Sequence, residues 1–228
     1  PPSLPATAEV ERQVLDRKVA LLFSNTELGQ VATAINATLV SAALGVVFPP
    51  QTILAWWAAV MVATLLRWNI ARAYLRAPLA LDAAGWVRRY RMNTLLVTSL
   101  WSAGMLFFGR EAPPAQLFFM AFILAGMVAG AVSMLSPIVG LYRLYAIPIV
   151  LAVSLTAFLR HGAIEDYLLG LVAPLFLFAV LRSASHLHDA LSDSIRLGIE
   201  QASLVASLRE ARDAAQAASS RVRFWPVP

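Results

Sequence analysis

Polar and apolar positions divide this chain at Leu181. Before that point come six apolar stretches, each near the roughly 20 residues a helix needs to cross hydrocarbon. The pattern predicts spans at about Leu28–Phe48, Gln51–Ile70, Asn93–Phe108, Ala115–Leu135, Leu141–Phe158 and Ile164–Leu181. The third is entered from an amphipathic stretch near Asp82–Arg91. Pro49-Pro50, Pro113-Pro114 and Ser136-Pro137 mark the turns, because proline lacks the helical donor and clashes with the preceding turn. From 182 to 224 the chain becomes an Ala-rich polar helix. Leu187, Ala190, Ser194, Leu197, Gln201, Leu204, Leu208, Ala211, Ala215, Ala218 and Val222 step by three and four along it, which is a coiled-coil seam, weak because Ser194 and Gln201 are polar and its last part is mostly Ala. A second stripe runs beside the first through Leu191, Ile195, Gly198, Ala202 and Val205. Two adjacent stripes permit either a helix that rotates between two packings or one broad face in a wider bundle.

The expected fold is all-α: a polytopic membrane protein of six transmembrane helices followed by a cytoplasmic coiled-coil signalling helix. Residues 1–26 form a cytoplasmic segment, 27–181 the membrane bundle, 182–224 the coiled-coil linker and 225–228 a tail. Within the first segment, Glu9–Ser24 predicts an amphipathic helix with Val10, Val14, Leu15, Leu21 and Leu22 as its apolar stripe. Pro1, Pro2 and Pro5 are expected to be disordered or added. This segment is not expected to be a secretory signal, since its first apolar run follows a mixture of acidic and basic residues and has no cleavage-type site.

Composition agrees with a membrane protein. Of 228 residues, 59% are hydrophobic and 14% charged, against about 25% charged in a soluble domain. There is no cysteine, which excludes disulfides, thiolate nucleophiles and Cys-ligated metals. The net charge is +5, and 17 of the 18 basic residues are arginine. Their placement reads as membrane topology rather than nucleic-acid binding. Arg12, Arg17, Lys18, Arg72, Arg76, Arg88, Arg89, Arg91, Arg143 and Arg182 fall on one side and Arg110 and Arg160 on the other, which puts both termini in the cytoplasm.

Small residues at four-residue spacing allow close helix approach in lipid. Gly29, Ala37, Ser41 and Gly45 on the first span and Gly126 and Gly130 on the fourth are the expected packing positions, static or sliding. Asn36, near the middle of the first span, must face the bundle, to bind a ligand or to bridge helices. Arg67 is expected to snorkel to the headgroups. Trp56, Trp57, Trp68 and Trp86 read mainly as interface anchors, whereas Trp101 lies deeper. Asn36, Trp101, Met105, Met127 and Tyr145 are the candidate ligand-binding set. Pro148 and Pro174 fall inside spans as candidate hinges.

Catalytic signatures are lacking. There is no phosphate-cradling glycine loop and no Ser/His/Asp set. His161 stands alone, and His186 and His188, two apart on a helix, point to different sides and make a poor metal pair. Metal ligands and catalytic residues are therefore not assigned. Carboxylates are missing from the span centres, where ion-coupled transporters usually carry one.

The stretch Leu204-Val-Ala-Ser-Leu-Arg-Glu-Ala-Arg-Asp-Ala-Ala-Gln-Ala-Ala-Ser-Ser-Arg-Val-Arg-Phe224 resembles the linker before the dimerisation domain of bacterial sensor histidine kinases. Leu21-Leu-Phe-Ser-Asn25, Leu100-Trp-Ser-Ala-Gly104 and Ala125-Gly-Met-Val-Ala-Gly-Ala131 are similar to the multi-pass input modules of hybrid kinases. The resemblance implies a further part that binds ATP and Mg, phosphorylates a histidine and passes the phosphoryl group to a response-regulator receiver domain. Trp225-Pro-Val-Pro228 departs from the family pattern and is expected to mark a truncation or an added tail. The resemblance further implies a homodimer in the bacterial inner membrane, surrounded by lipid. Its signal would be a hydrophobic small molecule or a change in the membrane. A diguanylate cyclase output, a small-solute transporter or channel, and a passive membrane anchor remain as alternatives.

Overall fold

The structure is a computed structural model that describes residues 4–24, 26–78, 82–160 and 162–223. Seven α-helices account for nearly all of them: α1 (Leu4–Ser24), α2 (Thr26–Leu44), α3 (Pro50–Arg76), α4 (Ala83–Glu111), α5 (Pro114–Leu135), α6 (Val139–Leu159) and α7 (Ile164–Arg223). A 3-10 turn, Ser136–Ile138, joins α5 to α6. No strand occurs among the described residues. His161, Pro1, Pro2 and the tail 225–228 lie outside them.

Helix boundaries follow local chemistry. Pro50 opens α3 and Pro114 opens α5, positions where the missing N–H costs nothing and the fixed φ helps. Asp82 caps α4, its Oδ1 accepting from the Gly85 amide at 2.8 Å. Glu165 and Asp166 occupy the first turn of α7, where carboxylates oppose the helix dipole. Pro148 and Pro174 lie inside α6 and α7, and both helices continue through them. Thr33, Thr64 and Thr94 return their hydroxyls to carbonyls of their own helices, which satisfies them without help from water.

Four helical stretches are long and apolar enough to cross a membrane: Pro50–Arg76, Ala83–Glu111, Pro114–Leu159 and Ile164–Asp213. The third covers α5, the 3-10 turn and α6. Its 46 residues exceed one crossing, which takes about 20. α2 has 19 residues, with Glu27, Gln30 and Asn36 among them, and is not one of these stretches. Several expected bounds move. α4 is one helix that includes the amphipathic stretch placed before the third span. α2 ends at Leu44, and residues 45–47 form a turn.

Successive helices alternate in direction. Trp57 Nε1 donates to Thr38 Oγ1 across α2 and α3, Asn93 to the Ala63 carbonyl across α3 and α4, and Tyr142 to the Val128 carbonyl across α5 and α6. α4 and α6 run side by side in the same direction, joined by Thr156 to the Met105 carbonyl. They carry much of the core, including Tyr90, Trp101, Phe108, Tyr145 and Ile149. α2 and α5 are antiparallel neighbours.

The two ends differ. At one, α1 lies against the bundle, and Phe23 stacks on Tyr74 at 4.2 Å beside the edge of Trp86. Trp86 is thus buried rather than an interface anchor. Val19, Leu22 and Phe23 are the buried positions of α1, whereas Leu21, expected in the stripe, is exposed. Pro5 sits in the first turn of α1 rather than in a disordered start. At the other end Arg160 Nη1 donates to the carbonyls of Gly109, Arg110 and Ala112, and its Nε lies 3.3 Å from Asp166 Oδ2.

α7 leaves the bundle as it runs on. Ala184 is buried, Leu187 half-buried, and residues 201–209 are exposed throughout. Leu197, Leu204 and Leu208 are 58%, 62% and 68% exposed. The second stripe is more covered in its first part, where Leu191, Ile195 and Gly198 are half-buried beside the buried Ile199, whereas Ala202 and Val205 are exposed. A Cβ on Gly198 would lie 3.7 Å from Arg17 Nη1 of α1. Burial at this α1–α7 contact holds the Lys18 ammonium below its ordinary range, with Asp189 pulling the other way.

Candidate functional site

Between α2 and α5, floored by α3, α4 and α6, lies a cavity of about 130 Å³ with several polar side chains on its wall. α2 contributes Gln30, Thr33 and Asn36, and α5 contributes Gly126, Met127 and Gly130. Arg67, Tyr90 and Tyr145 close it from the other helices. It forms here because α2 and α5 put small or short polar side chains toward each other, so the helices meet without filling the space.

Arg67 is the dominant group. It is 7% exposed, so it does not snorkel. α3 continues to Arg76 and α4 begins at Ala83, which encloses position 67 between two helices. Nε donates to Asn93 Oδ1 at 2.6 Å and Nη2 to Thr94 Oγ1 at 3.2 Å. Asn93 is itself held by its Nδ2 donating to the Ala63 carbonyl at 2.9 Å. The guanidinium carbon sits 4.9 Å from the centre of the Tyr90 ring, close enough for a cation–π attraction. Nη1 has no partner among the described residues. None of the ion pairs among the described residues includes Arg67. A buried cation without a counter-ion is costly, and more so in a lipid-facing bundle.

Three of the five candidate ligand residues, Asn36, Met127 and Tyr145, line this cavity. The other two do not. Trp101 and Met105 are fully buried one layer away. The Trp101 ring meets the edge of Trp56 at 5.2 Å, and the Met105 carbonyl accepts from Thr156. The Trp101 indole N–H has no partner.

The packing glycines behave differently from one another. Gly29 is tight, since an added Cβ would sit 3.0 Å from Met134 Sδ. Ala37 is buried and Ser41 half-buried, whereas Gly45 lies in the turn after α2. In front of Gly126 and Gly130 there is open space, with nothing within 4 Å of an added Cβ. These two glycines line the cavity's wall instead of pressing on a neighbouring helix.

Sequence reasoning missed Arg67, Tyr90 and Gln30. One available signal was the polar run from Tyr90 to Thr94, which supplies hydrogen-bonding partners at the start of an apolar helix. A larger apolar groove of about 620 Å³ lies on the other side of α2, between it and α3. It shares Thr26 and Gln30 with the α2–α5 cavity.

No known family, curated protein or solved structure matches this chain.

Proposed function

We propose that this chain is the membrane-embedded sensory input module of a receptor of the sensor histidine kinase type. Six helices, α2 to α7, cross the bacterial inner membrane with both termini in the cytoplasm. A hydrophobic or membrane-borne signal acts within the bundle, and a dimeric coiled coil formed by α7 carries the response to the output.

One observation carries this reading. α7 is a single helix of 60 residues whose first half packs in the bundle and whose second half projects from it with leucines unpartnered. About 90 Å of unbroken helix at 1.5 Å per residue is long for a transmembrane element alone and suits a mechanical link. Leu197, Leu204 and Leu208 are exposed in the isolated chain and share the seam with Leu187, so a second copy is their natural cover. α1 already leans on the adjacent stripe near Gly198, which leaves the seam as the free face.

The basic residues support the orientation. α1, the α3–α4 connection and the projecting part of α7 gather the arginines at one end of the bundle, as the positive-inside rule requires of a cytoplasmic face.

The test is a chimaera in which residues 1–223 are joined to the dimerisation and catalytic domains of a characterised histidine kinase. One to seven residues are inserted after Arg209. Autophosphorylation is expected to rise and fall with a period of about 3.5 residues, the heptad repeat of a coiled coil. Activity independent of insertion length would reject α7 as the transmitting element.

A further inference from the structure

The ligand chemistry follows from the charge left open at Arg67. We infer that the α2–α5 cavity binds the carboxylate of a single-chain amphiphile, its tail leaving sideways into the lipid past Gly126 and Gly130.

The cavity holds a fixed cation with one guanidinium nitrogen unpartnered and no carboxylate to match it. Glu27 does not fill that role. It is exposed and lines the groove on the far side of α2 together with Arg72. α5 carries no charged residue, and the only charge on α6, Arg143, is exposed. An anion is therefore the missing partner, and guanidinium geometry suits a carboxylate well. Asn36 and Gln30, also on the wall, bring amide donors.

Size and charge narrow the class. The cavity's 130 Å³ is about four water volumes, enough for a head and the first methylenes but not for a bulky headgroup. One arginine balances one negative charge, which favours a carboxylate over a phosphomonoester dianion. The tail has a way out. Gly126 and Gly130 are one helical turn apart, about 6 Å along α5, and both face open space.

This deepens the sensory reading by naming its ligand, and it rests on that reading only for what binding achieves. Occupancy is measured without any output domain, so the two fail separately.

The protein in nanodiscs is titrated with dodecanoate at alkaline pH, with methyl dodecanoate, dodecyl phosphate and inorganic phosphate in parallel. Saturable binding of dodecanoate is expected, with the ester weaker by about tenfold or more, the scale of a lost hydrogen bond to a charged group. Arg67→Gln is expected to lose binding to a similar degree. An added Cβ at Gly130 meets nothing within 4 Å, so Gly130→Leu is expected to block the exit and abolish binding while its thermal melting stays unchanged. Gly140→Leu, at a second glycine with open space before it, is expected to bind as the parent does. Should Arg67→Gln fail to fold, the Gly130→Leu and Gly140→Leu pair still decides the matter. Equal binding of acid and ester, or unchanged binding in Gly130→Leu, would overturn the inference. So would tighter binding of dodecyl phosphate, which would mark a phosphate site, or competition by inorganic phosphate alone, which would mark a free-anion site.

Discussion

His188 of α7 donates from Nδ1 to the carbonyl of Ser136 at 2.8 Å. This bond ties the long helix to the 3-10 turn between α5 and α6, just where α7 begins to leave the bundle. Ser136 is fully buried, and its own hydroxyl has no partner. His188→Ala is expected to destabilise the protein by about 0.5–1.5 kcal/mol, the net worth of one intramolecular hydrogen bond. Thermal melting in nanodiscs measures it, and His188→Asn, which keeps an N–H donor, should recover part of the loss.

Glycine substitutions should split into two groups. A Cβ at Gly104 would lie 2.6 Å from Trp56 Nε1, and that indole already donates to the Leu100 carbonyl at 2.9 Å. Gly104→Ala must displace the ring, which should cost about 1–3 kcal/mol as overpacking does. At Gly126 there is nothing to displace, so Gly126→Ala should be neutral or gain up to about 1 kcal/mol from helix propensity. Parallel melting curves of the two variants check the contrast.

Arg160 closes the opposite end of the bundle. Its Nη1 is the donor shared by the carbonyls of Gly109 and Arg110 near the end of α4 and of Ala112 just after it, while its Nε engages Asp166 at the start of α7. Arg160→Met should cost about 3 kcal/mol, because it strands both the carbonyls and a buried carboxylate. Arg160→Lys should restore only part of this, since one ammonium cannot reproduce the planar fork. Denaturant or thermal unfolding of the three proteins provides the comparison.

Helix ends were largely legible because proline and charge act locally. Pro50 and Pro114 mark real starts, and Ser136-Pro137 marks a real turn. Asn36, expected to face the bundle on the cost of burying an amide in lipid, lines the α2–α5 cavity with Met127 and Tyr145. Arg67 was not legible, since its fate depends on Asn93 and Thr94, 26 and 27 residues away. No local rule distinguishes an arginine that reaches headgroups from one clasped by the next helix. Trp101 and Met105 failed as cavity residues for a related reason. Depth along a span does not reveal which neighbour a side chain faces, and here that neighbour is Trp56. Gly126 and Gly130 show the converse, small residues at packing spacing that border open space.

Dimerisation along the projecting half of α7 can be read residue by residue, because the chain has no native cysteine. Single cysteines introduced as Leu197→Cys, Leu204→Cys and Leu208→Cys should crosslink between copies in native membranes. Ser203→Cys and Ser207→Cys, off the seam, should do so several-fold less, as knobs-into-holes packing implies.

The most direct measurement is a distance between copies. A spin label at Leu204→Cys, in full-length chain reconstituted at low density in nanodiscs, reports the separation of the two α7 helices by electron double resonance. Paired helices whose axes lie about 10 Å apart should give a short, narrow distribution from one copy to the other. A purely monomeric signal, with no distance between copies at any protein concentration, would contradict a dimeric α7 and with it the proposed route from membrane to output.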